Sequence, residues 1–70
     1  MIIQWGLLDG VTSGGKDSNY YFDFTITPII TAIGNGNNNI VRITTRTKSN
    51  YGFALNGSGS CTVFWIAIGY

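Results

Sequence analysis

Seventy residues with a net charge of +1, one cysteine and no histidine describe one small domain that must cohere without the usual covalent or metallic aids. Cys61 has no partner for an intrachain disulfide, and three aspartates beside one thiol cannot build a structural zinc site, so no metal or other cofactor is expected. Charged residues make up 10% of the chain, against about 25% in average soluble domains, too weak a field for non-specific nucleic-acid binding.

A chain of this size buries only about 60% of the surface it exposes when unfolded, so its own core gives marginal stability. Oligomerisation is the remaining device, and the surface that charges would normally occupy is expected to be a subunit interface. The opening MIIQWGLLDG lacks the basic start and long apolar run of a signal peptide. The apolar stretch near Tyr70 is about half of the ~20 residues a membrane-spanning helix needs, so the chain is not expected to insert in a membrane.

In chain order, Ile2 to Trp5 reads as a short strand, followed by a long link, Leu7 to Asn19, containing DGVTSGGKDSN. Tyr20 to Ile26 alternates, with Tyr20, Phe22, Phe24 and Ile26 on one face, which predicts a half-buried strand. Pro28 then allows a sharp corner or starts the edge of the next strand, Ile29 to Ile33. Gly34 to Asn39 (GNGNNN) is a link, and Ile40 to Thr47 alternates again, with Val41, Ile43 and Thr45 opposite Arg42, Thr44 and Arg46. Lys48 to Asn50 is a short connection, Tyr51 to Leu55 a strand, Asn56 to Ser60 (NGSGS) a link, and Cys61 to Tyr70 the last strand. No window has a helical period, and links this short require antiparallel pairing. The fold expected is all-β, a small antiparallel β-sandwich of about six strands spanning 1–70 as one domain.

The last strand is apolar on both sides: Thr62, Phe64, Ile66 and Ile68 face one way, Val63, Trp65, Ala67 and Gly69 the other. A strand on the surface of a monomeric sandwich shows one polar face. One side is therefore expected in the core and the other under another chain. The links differ as well. In an up-and-down order the first, third and fifth, all rich in glycine and in asparagine or serine, fall at one end, with the short links and both termini at the other.

Gln4-Trp5-Gly6, the aromatic stretch ahead of Pro28, Gly52-Phe53 and the closing Phe64-Trp65-Ile66-Ala67-Ile68-Gly69-Tyr70 together resemble the small C-terminal tip domain of bacteriophage tail fibres and of related tailocin-like particles. The resemblance covers essentially the whole chain. It implies an H-type-lectin-like β-sandwich assembled as a parallel homotrimer at the distal tip of a virion's tail fibre, put together in the host cytoplasm and joined to the remainder of the fibre. It also implies host attachment by binding a bacterial surface glycan such as lipopolysaccharide. A purely structural trimerisation cap of the fibre is an alternative role.

If the three long links cluster, Lys16, Asp17, Asn35, Asn37, Asn38, Asn56 and Ser58 form one polar ligand-binding surface, with Lys16 available to acidic sugars or phosphate. Tyr20 or Tyr21 would supply a stacking ring at the mouth of the first link. Each feature has a plainer reading. Trp5 and Trp65 sit in apolar strands and read as core or interface rings. Cys61 has no histidine to activate it and reads as a buried, inert thiol. The Asn37–Asn39 run suits hydroxyl-rich ligands, but Asn and Gly also serve turns, as Asn35-Gly36 and Asn56-Gly57 would in tight hairpins. A site along the side of an oligomer, dominated by Arg42 or Arg46, competes with the loop end.

Two other classes fare less well. Lys48 to Phe53 (KSNYGF) is faintly similar to the basic-aromatic strands of small barrels that bind single-stranded nucleic acid, yet the chain has too little basic charge for that role. A polysaccharide hydrolase needs two carboxyl groups flanking the scissile bond. Asp9 and Asp17 lie in one link, Asp23 lies in a predicted strand, and there is no Glu or His, so no acid/base pair is expected and the protein is read as non-enzymatic.

Overall fold

The computed structural model describes residues 1–35 and 40–70, and these form an all-β, sandwich-like fold. Among the described residues there are six strands and no helix: β1 (Ile2–Val11), β2 (Lys16–Asn19), β3 (Ile29–Gly34), β4 (Val41–Arg46), β5 (Asn50–Leu55) and β6 (Cys61–Gly69). They make two antiparallel three-stranded sheets, ordered β1-β6-β3 and β2-β5-β4. The ten residues of β1 account for the long dimension of 35 Å, at about 3.3 Å per residue.

The core lies between the sheets. Leu8, Val11, Ile30, Val63, Trp65 and Ala67 come from the first sheet and Tyr51, Phe53 and Leu55 from the second. Trp65 is its largest fully buried side chain, and the rings of Tyr51 and Tyr20 lie 4.4 and 5.7 Å from it. Alternation along β6 therefore sends Val63, Trp65 and Ala67 inward, as the sequence predicts.

Two segments differ from expectation. Tyr20 to Ile26 is not a strand. Tyr20 is 6% exposed and Phe24 3%, whereas Phe22 is 71% exposed and Ile26 is open too, so burial recurs every fourth residue instead of every second. This segment carries the chain from one sheet to the other, where no ladder can receive it. Its backbone is held piecemeal: Tyr20 N–H donates to Ser49 O, Phe24 N–H to Lys48 O, and Thr25 N–H and Ile26 N–H to Tyr70 O. Gln4, buried in β1, does the rest. Its Nε2 donates to Phe22 O at 2.8 Å and its Oε1 accepts from Phe22 N–H at 3.1 Å, so one side chain stands in for a strand's backbone pair. The second strand is instead Lys16–Asn19, a polar stretch predicted as part of a link. It pairs along β5 from Lys16↔Phe53 to Asn19↔Asn50, and polar side chains suit a sheet edge.

Bulges explain the other shifts. β1 runs six residues beyond Trp5 because β6 gives it an unbroken ladder to Leu8↔Val63, and a register slip between Leu8 and Val11 then carries the pairing to Val11↔Cys61. Gly10 takes φ 71° there, a left-handed conformation that glycine adopts without steric cost. The slip turns Val11 into the core after Leu8, where strict alternation would have turned it out. In β4 the slip lies between Ile43 and Thr45. Thr45 now shares Gly52's outward face, and the predicted grouping of Thr45 with Val41 and Ile43 does not hold.

Candidate binding surfaces

Antiparallel pairing in both sheets places the links between β1 and β2, β3 and β4, and β5 and β6 at one end of the molecule. Backbone bonds tie that end together: Leu55 N–H to Thr12 O (3.0 Å), Asn56 N–H to Ile40 O (3.0 Å) and Asn35 N–H to Thr62 O (3.1 Å). All three links cross from one sheet to the other. The Asn56–Ser60 segment is thus an arch between sheets and not the tight hairpin its Asn-Gly pair suggested. The termini, the Tyr20–Pro28 segment and the β4–β5 turn occupy the opposite end.

Asn35, Asn56 and Ser58 are exposed at the link-rich end, and exposed Lys16 and Asp17 begin β2 beside it. Lys16 is occupied: its Nζ donates to Asp9 O at 2.5 Å, bridging the open edges of the sheets next to the β1 bulge. Asp17 Oδ1 accepts from Thr45 Oγ1 at 3.1 Å. Asn37 and Asn38 lie outside the described residues. Tyr20 is not on this surface. Its ring is packed in the core at the far end, against Phe24, Tyr51 and Trp65, because the chain has crossed the full length of β2 before reaching it. Tyr21 is exposed at that same far end, with its ring 6.3 Å from Trp65. Burial raises the pKa of Tyr20 and Tyr51 above the ordinary phenol value, since the charged form is penalised away from water.

A second surface covers the outer face of the β1-β6-β3 sheet. Register aligns Ile3–Ile68–Ile29, Trp5–Ile66–Thr31 and Leu7–Phe64–Ile33 in three rows across the strands. Eight of these nine residues are apolar and none is charged. A fourth, polar row closes the patch toward the link-rich end, where Thr62 Oγ1 donates to Asp9 Oδ1 at 2.7 Å. The seven most exposed apolar residues of the grid together expose the equivalent of about four whole residues, on the order of 800 Å² at roughly 200 Å² each. The largest apolar patch on a typical monomer is about 300–600 Å². The patch continues around the β1 edge into an apolar hollow of about 440 Å³ lined by Ile2, Ile3, Gln4, Trp5, Tyr21 and Phe22. Trp5, 61% exposed, thus belongs to this face, whereas Trp65 belongs to the core.

Cys61 is buried and unpaired, and no cluster of potential metal ligands occurs among the described residues. No helix among the described residues is long and apolar enough to cross a membrane. Comparison with protein-family models, curated protein sequences and solved structures gave no match.

Proposed function

We propose that this chain is the receptor-binding tip domain of a tail fibre of a bacteriophage or tailocin-like particle, a non-catalytic module that attaches the virion to a bacterial surface glycan such as lipopolysaccharide. In this reading three copies pack in parallel around an axis lined by the outer faces of their β1-β6-β3 sheets. The link-rich ends then point away from the fibre and present the glycan site three times. The observation that carries the reading is the division of the surface: an uncharged apolar side running along the strands, and polar residues gathered at one end, with Asn35, Asn56 and Ser58 in the arches and Asp17 beside them. An exposed apolar area on the order of 800 Å² equals the ~800 Å² that each partner contributes to a standard stable interface. Repetition lets weak single sites hold firmly through multivalency.

The test is adsorption of the purified protein to host cells. Asn35→Ala with Asn56→Ala is expected to lower attachment severalfold while leaving the melting curve within about 0.5 kcal/mol of the parent, as exposed substitutions do. Arg42→Ala, on a strand face, is expected to bind like the parent. The reverse pattern moves the site to the side of the assembly, and unchanged binding in every variant removes the loop end from the receptor contact.

A further inference from the structure

We infer that the outer face of the β2-β5-β4 sheet carries a saccharide subsite built on Asp17 and Gly52, suited to a neutral or amino-substituted hexose and not to an acidic sugar; the inference rests on the glycan-binding reading above. Gly52 stands within the central strand of its sheet, paired with Asp17 on one side and Thr45 on the other. A side-chain carbon built at Gly52 would collide with Asp17 Oδ1 and lie 2.8 Å from its Cγ. The Asp17 side chain therefore lies flat across the glycine and reaches the Thr45 hydroxyl on the far strand. Glycine inside a strand weakens it and often marks a close approach by another group. Gly52 is not among the glycines with positive φ, so backbone conformation does not demand it. The space a side chain would take is filled by the Asp17 carboxylate and approached by Lys16 O at 3.1 Å.

Around this saddle runs a groove of about 330 Å³ lined by Gly14, Gly15, Lys16, Asp17, Thr44 and Thr45. Thr44 is the extra residue of the β4 bulge. The loop amides along the wall are already used, Gly15 N–H by Thr12 O and Gly14 N–H by Thr12 Oγ1. What the groove offers a ligand is a fixed carboxylate and the hydroxyl groups of two threonines. Such a set accepts hydrogen bonds from adjacent sugar hydroxyls or an amino group, and bonds to an ionised acceptor are the stronger kind. An acidic sugar would set its own carboxylate against Asp17. The one cation in the groove's lining, Lys16, is drawn off to the Asp9 carbonyl on the other sheet.

Amide NMR spectra of the full chain, titrated with the methyl glycosides of glucose, galactose, glucosamine and glucuronic acid, test this. At least one neutral or amino sugar is expected to move the amides of Gly15, Asp17, Thr44, Thr45 and Gly52, while the glucuronide does not. Asp17→Asn and Gly52→Ala are each expected to weaken that binding about tenfold or more, the loss typical of one charge-assisted hydrogen bond. If Gly52→Ala does not fold, the near-isosteric Asp17→Asn carries the comparison alone. Shifts confined to Asn35, Asn56 and Ser58, a preference for the glucuronide, or undiminished affinity in Asp17→Asn would each overturn the subsite and leave the glycan reading standing. No shift with any sugar, together with no retention of host lipopolysaccharide, would remove both.

Discussion

Trp65 and Tyr51 meet across the gap between the two sheets, ring centroids 4.4 Å apart and planes tilted by 41°. Trp65 comes from the central strand of one sheet and Tyr51 from the central strand of the other, so this contact joins the two layers at their middles. Trp65→Ala is expected to cost about 3–5 kcal/mol through lost burial and the cavity left behind. That is most of the stability of a small domain with a net ~5–15 kcal/mol. Thermal melts followed by circular dichroism should show no cooperative transition, or one displaced far downward; a near-parental melt would mean the layers are held elsewhere.

Tyr20 Oη and Trp65 Nε1 are buried without a hydrogen-bond partner, and such groups cost stability. Tyr20→Phe removes one of them and keeps the edge-on and tilted ring contacts, so it is expected to melt at or above the parent temperature. The same residue governs alkaline behaviour. Burial raises the phenol pKa of Tyr20 and Tyr51 in the folded state, so their contribution is fully present below the unfolded value of about 10 and is lost as pH rises through the folded values. Denaturant melts between pH 9 and 12 should show a loss above about pH 10 that is smaller in Tyr20→Phe. A loss of equal size in both proteins would place the alkaline sensitivity elsewhere.

Gln4 is the only route by which Phe22's backbone N–H and C=O are satisfied among the described residues. Gln4→Met keeps the side chain's length and removes both bonds, leaving two partly buried backbone groups unpaired. The expected cost is about 1–3 kcal/mol, with faster amide exchange from Tyr20 to Ile26 than in the rest of the chain. Uniform exchange across all segments would argue against this local anchor.

The apolar side gives the fourth prediction. Sedimentation equilibrium of the parent at micromolar concentration should report three chains. Leu7→Lys with Phe64→Lys, neighbours in one row of the outer face, should shift the mass toward one chain by setting like charges into an apolar contact. A parent that sediments as a single, well-folded, soluble chain would remove the assembly from the proposal.

The strands with simple alternation were legible: β3, β4, β5 and β6 lie within a residue or two of their predicted ends, and the inward face of β6 was read correctly. The misreadings share a cause. Tyr20–Ile26 has a strand's periodicity, but its backbone partners are Gln4, Lys48, Ser49 and Tyr70, a tertiary arrangement that local alternation cannot encode. Lys16–Asn19 has no apolar pattern and is a strand because β5 offers it a ladder. Tyr20 falls at the far end and not beside the loop residues because the four paired residues of β2, whose sequence carries no strand signal, take the chain there. The Asp17–Gly52–Thr45 arrangement left one trace in the sequence, a glycine inside the apolar run Tyr51–Leu55, and that trace became readable only once the register was known.

β6 lies between β1 and β3, and Ile2 pairs with Gly69. As the ribosome makes this chain, β1 and β3 emerge before β6, the strand with which both of them pair. Their side of the molecule must therefore wait in an unpaired, adhesive state while the β2-β5-β4 sheet is already complete in sequence. Contacts this distant along the chain place folding toward the slow, millisecond-to-second range, and during that interval neighbouring nascent chains on the same messenger are the most available source of wrong partners.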